Sequence, residues 1–120
     1  MTIHRYEPDG YHNTIGSHPA VLTVESGDTL ITTTIDAFGW DQRGRQAAGR
    51  PNPQTGPFYV AGAEPGDTLA VDLVRLQPNR PTGFTRDVVS PNVVEPEYVW
   101  SLPQGEDRKS TRLNSSHTIQ

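Results

Sequence analysis

The chain has 120 residues, a formal net charge of −4 at pH 7 and no cysteine. A chain of this length allows one small domain. The acidic balance and the lack of a basic cluster argue against a surface that binds nucleic acid. Without cysteine there is no disulfide framework, no thiolate nucleophile and no Cys-ligated zinc.

The sequence does not have the features of a membrane or secreted protein. No apolar run approaches the ~20 residues that a membrane-spanning helix needs. The first residues, MTIHRYEPDG, do not follow the signal-peptide pattern. We therefore expect a cytoplasmic protein that binds neither membrane nor nucleic acid.

Turn-forming residues are frequent, since the chain contains 11 Gly and 11 Pro. No long stretch places apolar residues at helical spacing, so little helix is expected. The sequence instead predicts short β-strands at residues 11–17, 19–24 and 29–35. The last of these is the clearest, because β-branched Thr and Ile side chains alternate along it.

Residues 36–51 break this pattern. Their sequence, DAFGWDQRGRQAAGRP, is polar and shows no periodicity. Long irregular loops are uncommon in compact domains and are usually either functional or disordered. This segment is therefore interpreted as a loop of one of those two kinds.

Residues 52–76 specify structure most closely. NPQTGP at 52–57 forms turns, and FYV at 58–60 predicts a short strand. EPGD at 64–67 predicts a tight turn, in which Pro65 presets φ and Gly66 accepts a positive φ. Beyond it, apolar residues alternate with small or polar ones over residues 68–73, which predicts a strand with one buried face.

The same turn occurs twice in the chain. ESGDTL at 25–30 returns as EPGDTL at 64–69, and each copy is expected to start a strand. Two copies are too few for a solenoid. They indicate either two similar turns in one antiparallel sheet or sandwich, or a duplicated half-barrel. The predicted fold class is mainly β, an antiparallel β-sandwich or barrel-like arrangement with long loops and little helix.

Two blocks in this region resemble a known family. NPQTGP at 52–57 followed by YVAGAEPGDTL at 59–69 is similar to the acetamidase/formamidase family of small-amide hydrolases, and the similarity extends from about His12 to about Thr85. Enzymes of that family are considerably longer than this chain. The resemblance therefore implies an N-terminal piece, inactive by itself, of a parent enzyme that forms a homo-oligomer.

The resemblance also implies a reaction, the metal-assisted hydrolysis of a small linear amide to a carboxylate and ammonia. A divalent metal, with zinc as the expected ion, would polarise the carbonyl or lower the pKa of bound water to ~7. A positioned acid would protonate the leaving amine. The alternative is a non-catalytic β-sandwich binding module, because its strand and turn pattern would look much the same.

Asp36 and His12 are the candidate metal ligands, and Asp36 is also the candidate catalytic residue. Asp36 ends the Thr-rich run and opens the loop, where the family also has an Asp. It alternatively caps a turn at the end of the strand. His12 lies near the family's early histidine position. His18 follows it by six residues, a spacing that matches no compact ligand motif, and is expected to be structural.

Asn52, Thr55 and Gly56 are the candidate substrate-binding residues. They precede the strand at 58–60, and their hydrogen-bond donors would hold a small amide or the negative oxygen that forms when it is attacked. The alternative is that the Asn-Pro and Gly-Pro pairs only shape a loop. Glu64 and Asp67 are interpreted as structural residues of the Pro-Gly turn.

The last fourteen residues are interpreted separately. The segment 107–117, DRKSTRLNSSH, can be encoded by a nucleotide string that resembles the adaptor of short-read sequencing libraries, and Lys109 is the only lysine in the chain. We therefore expect residues 1–106 to be the N-terminal part of a truncated β domain. Residues 107–120 are expected to be a disordered tail that is not native.

Overall fold

The computed structural model describes residues 1–86, 89–102 and 107–109. The chain divides into two compact units, Met1–Asp72 and Leu73–Gln120. The described residues are mainly non-helical, as expected. They form six short strands and two 3₁₀ helices, namely β1 (Ile3–Tyr6), β2 (Leu22–Val24), β3 (Thr29–Thr32), β4 (Phe58–Val60), β5 (Phe84–Arg86), the helices Pro91–Val93 and Pro96–Ser101, and β6 (Asp107–Lys109).

The first unit contains two parallel strand pairs. β1 pairs with β3, with Ile3 opposite Thr29. β2 pairs with β4, with Leu22 opposite Phe58. The strands β2 and β3 are neighbours in the chain but belong to different pairs. The expectation of little helix agrees with this structure, whereas the described strands of this unit do not form an antiparallel sandwich or a closed barrel.

The turn between β2 and β3 explains why these two strands do not form a hairpin. The Asp28 N–H donates to the Glu25 C=O at 3.0 Å, and Gly27 in the third position has a φ of +88°. This is type II geometry. Type II turns splay the flanking strands, whereas tight hairpins use types I′ and II′. The turn is therefore a corner between two strand pairs, at a place where the sequence predicted neighbours in one antiparallel sheet.

Asp28 ties the first strand to this corner. Its Oδ1 accepts the Thr2 N–H at 2.8 Å, and its Oδ2 accepts the Glu25 N–H at 2.9 Å. The same Oδ2 lies 2.8 Å from Nε2 of His4. The Glu25 hydrogen bond, followed by those of His4 and Thr2, lowers the pKa of Asp28 to about 2. One carboxylate thus joins β1 to the turn that starts β3.

An aromatic contact links the two strand pairs. The Tyr6 ring of β1 meets the Phe58 ring of β4 edge to face, with 5.6 Å between the ring centroids. Across the described parts of both units, no hydrophobic side chain is fully buried. The first unit therefore depends on turn and strand hydrogen bonds more than on a packed core.

Two predicted strands do not form. Within residues 11–17, His12 makes an isolated bridge with Gln54 and the rest is not strand. Residues 68–73 after the second turn are not strand either, and the predicted burial of one face there is wrong, because Leu69 is 57 % exposed and Val71 76 %. A strand needs a hydrogen-bonded neighbour. The described chain supplies none to residues 68–73, and Gln54 alone bridges to residues 11–17 through His12.

The second unit contains an antiparallel pair and the two short helices. β5 pairs with β6, with Phe84 opposite Lys109. Each 3₁₀ helix begins with a proline, which suits a first position because the N–H there needs no helical partner. Of the predicted tail, residues 107–109 lie in β6 and residues 110–120 lie outside the described residues, so its disorder stays a prediction. None of the described helices is long and apolar enough to cross a membrane.

The lowered pKa of Asp28 predicts that the junction of β1 is sensitive to acid. The charged form is favoured in the folded state, so its stabilisation is complete above the usual Asp pKa of ~4 and is lost as the pH falls through about 2. We expect the carboxyl carbon of Asp28 to titrate by NMR with a midpoint near 2. The Thr2 and Thr29 amide signals should shift in the same pH interval.

Asp28→Asn is the control for this titration, because the amide side chain does not ionise. In that variant the Thr2 and Thr29 signals should show no transition between pH 4 and pH 2. A midpoint near 4 for Asp28 in the unmodified chain would contradict the hydrogen-bonded junction.

The absence of fully buried hydrophobic side chains among the described residues predicts a weakly cooperative fold. Burial of apolar surface is the dominant favourable contribution to folding. We therefore expect a broad thermal transition of small amplitude by circular dichroism. A sharp, cooperative melt of a monomer would show that this expectation is wrong.

Candidate functional site

Asp36 lies where the loop after β3 begins, and its side chain organises that loop. Its Oδ1 accepts the Phe38 N–H at 3.0 Å and the Trp40 N–H at 2.9 Å. The Gly39 N–H donates to the Asp36 C=O at 3.0 Å, and the Asp36 N–H donates to the Trp40 C=O at 3.1 Å. Asp36 therefore closes a five-residue loop in the way that Asp favours at turns.

Asp41 repeats this arrangement five residues later. Its Oδ1 accepts the Arg43 and Arg45 N–H groups, each at 2.9 Å. The Gly44 N–H donates to the Asp41 C=O at 3.0 Å. The hydrogen bond from Arg45, assisted by that from Arg43, lowers the pKa of Asp41. The pattern Asp-x-x-Gly-x thus occurs twice in tandem, at 36–40 and 41–45. The search for strand or helix periodicity does not detect this repeat.

Gly39 fixes how the loop folds back on itself. Its C=O accepts the N–H groups of Ala47 and Ala48 at 2.8 and 3.3 Å. Its φ is +89°, and a Cβ placed on it would lie 1.9 Å from the Ala48 oxygen. The side chain of Gln46 adds hydrogen bonds to the carbonyl oxygens of Phe38 and Ala48. Only glycine fits at this position.

The 52–56 segment is bonded to the same loop. The Asn52 N–H donates to the C=O of Ala37, the residue after Asp36, at 2.8 Å. The Thr55 hydroxyl donates to the Thr33 C=O just beyond β3, at 2.7 Å. Asn52 and Thr55 therefore both lie against the chain on either side of residue 35. This places two candidate substrate-binding residues beside the segment that carries Asp36.

His12 contacts the 52–56 segment through backbone hydrogen bonds to Gln54. Its N–H donates to the Gln54 C=O at 3.1 Å, and its C=O accepts the Gln54 N–H at 2.8 Å. The neighbouring Asn13 side chain donates to the carbonyl oxygens of Gly49 and Pro51 at 2.9 and 2.8 Å. Asn13 is thus a positioning residue that no sequence pattern indicates. Its role depends on contacts 36 and 38 residues away along the chain.

The imidazole rings of His12 and His18 are stacked. Their centroids are 3.8 Å apart and their planes differ by 11°. The His18 Nε2 also lies 2.9 Å from the Thr14 hydroxyl and 3.1 Å from the Thr14 carbonyl oxygen, so it closes its own short loop. Rings in parallel planes do not aim their in-plane nitrogen lone pairs at one shared ion. The structural interpretation of His18 agrees with these contacts.

The described residues do not fit a complete metal centre. Nowhere in residues 1–86, 89–102 or 107–109 are three or more His, Cys, Asp or Glu side chains grouped so that they could hold a metal ion. One oxygen of Asp36 already accepts two backbone N–H groups. Metal binding by His12 and Asp36 therefore stays a prediction.

The hydrogen-bond donors of this site are the backbone N–H groups of Thr55 and Gly56. The Thr55 hydroxyl proton is committed to Thr33. The N–H groups of Thr55 and Gly56 donate no hydrogen bond within the part of the chain that the structure describes. Gly56 is buried and has a φ of +117°. Backbone N–H groups are among the donors that bind a carbonyl oxygen or an oxyanion in enzymes.

Comparison of the chain with protein-family models, with characterised proteins and with solved structures finds no match.

Two glycines of the tandem loop give a matched test of its packing. Gly39→Ala would add both an unfavourable φ and a clash with backbone, whereas Gly44→Ala has a φ of +73° but no atom within 4 Å of the new Cβ. A left-handed φ alone costs a non-glycine residue ~1–2 kcal/mol. We expect Gly39→Ala to abolish the amide-exchange protection of Ala47 and Ala48, and Gly44→Ala to reduce it by at most about tenfold.

The exchange of both amides is measured by NMR in the two variants under the same conditions. Equal losses of protection in Gly39→Ala and Gly44→Ala would mean that the close approach of Gly39 to Ala48 does not hold the loop.

Proposed function

We propose that this chain forms part of a small-amide hydrolase of the acetamidase/formamidase type. The support is positional: the segments that carry His12, Asp36 and the 52–56 candidates are joined to one another by backbone hydrogen bonds in the first unit. Residues that are far apart in the sequence are thereby neighbours in one loop cluster. A plain scaffold has no need of this convergence.

The first step of amide hydrolysis is difficult because resonance makes the carbonyl a poor electrophile. Negative charge develops on its oxygen as the nucleophile attacks, and fixed N–H donors stabilise that charge. The backbone N–H groups of Thr55 and Gly56 are proposed for this role. Asn52 supports them indirectly, because its N–H ties the segment to the Asp36 loop.

The second step needs a proton for the leaving amine, which is a poor leaving group when neutral. The group that supplies this proton is proposed to lie in the rest of the longer enzyme. Asp36 holds the loop through its Oδ1 and is proposed as the catalytic carboxylate at the edge of the site. The residues that complete the site are proposed to come from the rest of a longer, cytoplasmic and homo-oligomeric enzyme.

The resemblance implies a divalent metal, zinc being the expected ion, that would polarise the substrate carbonyl when bound. His12 and Asp36 are the proposed ligands from this chain. The described residues do not supply a full set of ligands. Whether a metal takes part is therefore decided by the chelator arm of the assay.

A non-catalytic β binding module is the second candidate function. It is favoured by the finding that the Asp36 Oδ1 and the Thr55 hydroxyl both serve local structure. In that case the 36–56 loops are a recognition surface, and no amide is turned over.

The proposal is tested by ammonia release from formamide and acetamide, using the complete reading frame that encodes this chain. Asp36→Asn and Asp41→Asn form a matched pair, because each residue closes an equivalent loop and Asn retains the accepting oxygen. We expect Asp36→Asn to lower kcat/KM by ~10²-fold or more, as loss of an acid–base group does. Asp41→Asn should stay within a few-fold of the unmodified enzyme.

Equal effects of the two substitutions would make Asp36 a structural residue. Absence of ammonia release from both amides would overturn the hydrolase proposal and favour the binding module. Loss of activity in a chelator, with recovery on adding Zn²⁺, would support the metal.

A further inference from the structure

The two copies of the Gly-Asp turn have the same hydrogen bonds. In the first copy, the Asp28 N–H donates to the Glu25 C=O at 3.0 Å and Asp28 Oδ2 accepts the Glu25 N–H at 2.9 Å. In the second, the Asp67 N–H donates to the Glu64 C=O at 3.0 Å and Asp67 Oδ2 accepts the Glu64 N–H at 2.8 Å. The third-position glycines have φ values of +88° and +98°. The turns are therefore equivalent, and what surrounds them can be compared directly.

The carboxylates of the two turns differ in what they hold. Asp28 also accepts the Thr2 N–H and contacts the His4 imidazole, so β1 is fastened to it at two points. Asp67 makes no corresponding contact with any residue that the structure describes. An acceptor oxygen that is occupied in the first copy is thus open in the second.

The residues after the two turns differ in the same way. Thr29, which follows Asp28, donates its N–H to the Thr2 C=O at 2.9 Å and begins β3, which pairs with β1. Thr68 follows Asp67 and begins residues 68–72, which lie outside any strand and form no backbone hydrogen bond with another described residue. Leu30 of the first copy is half-buried, whereas its equivalent Leu69 is 57 % exposed.

We propose that residues 68–72 are a docking site for a strand of the β1 type, supplied by a partner polypeptide and running parallel to them. The strand fits if its backbone N–H reaches the Asp67 carboxylate and a histidine or another side-chain N–H donor follows two residues later. Charge complementarity supports this occupant, since Asp67 offers a negative acceptor where Asp28 holds a backbone donor and an imidazole. Main-chain pairing supplies affinity in this mode of recognition, and the side chains supply specificity.

The direction of pairing argues against the same segment of a second copy as the occupant. Two identical strands related by a two-fold axis pair antiparallel. That arrangement would place no cationic donor on Asp67, because residues 68–72 contain none. The proposal does not depend on amide hydrolysis, and the first unit can have either property without the other.

The test uses the full chain and an acetylated synthetic peptide with the sequence of residues 1–7, MTIHRYE. Binding is followed by residue-resolved amide exchange. We expect the peptide to protect the Thr68 amide, whose equivalent Thr29 donates to β1, and amides of the residues that follow it. In a parallel pair these hydrogen bonds are evenly spaced along the strand.

Three changes separate the proposed contacts from non-specific adhesion. A peptide with Ala in place of His leaves the protein untouched and removes the imidazole donor. A peptide with an N-methyl group on its Thr removes the backbone donor. The protein variant Asp67→Ala removes the acceptor. Each change should weaken binding by about tenfold or more, which is the effect of losing a charge-assisted hydrogen bond.

Protection at residues 68–72 that depends on both peptide donors and on Asp67 supports the proposal. Protection confined to residues 29–32 would mean that the peptide exchanges with β1 at Asp28, and would overturn it. A dimeric chain whose 68–72 amides are protected before peptide is added would overturn it in favour of a second copy. The proposal is also overturned if the unmodified chain does not bind the peptide.

Discussion

Aspartate carboxylates that accept backbone N–H groups hold the bends of the first unit. Asp28 and Asp67 each accept the N–H of the residue three positions earlier, at 2.9 and 2.8 Å. Asp36 and Asp41 each accept the N–H groups two and four positions later. Such bonds are local, because each joins residues two to four positions apart in the sequence. They give the chain defined corners even though its described residues contain no fully buried hydrophobic side chain.

The turn geometry then decides how the strands are arranged. A third-position glycine with positive φ and no positive φ before it gives a type II corner. The chain therefore does not double back as a hairpin, and β3 pairs with β1 while β2 pairs with β4. Both pairs are parallel. The first copy of the turn consequently starts a strand, β3, whose partner β1 comes from elsewhere in the sequence.

In the candidate site, residues proposed for function also form the hydrogen bonds that hold the local structure. Asp36 closes its loop, and the Thr55 hydroxyl holds the chain beyond β3. The backbone N–H groups of Thr55 and Gly56 are not used by the described structure, which leaves them for a ligand. The amide-hydrolase proposal thus rests more on the backbone of the 52–56 segment than on the side chains that the sequence pointed to. The loops that carry these groups are bonded together on two sides, through Asn52 and through His12.

The sequence by itself determined the local features. The two Gly-Asp turns and the strands β2, β3 and β4 lie inside segments chosen from residue type and alternation, because φ preferences and β-branching act within a few residues. Only the tertiary structure decided which strands pair, that His12 pairs with Gln54, and that Asn13 holds the 49–51 backbone. Those contacts join residues 21 to 42 positions apart, as between Arg86 and Asp107 or between His12 and Gln54. Local preference carries no information about such partners, and residues 68–73 show the consequence, since a strand-like sequence stays unpaired where the described chain offers no neighbour.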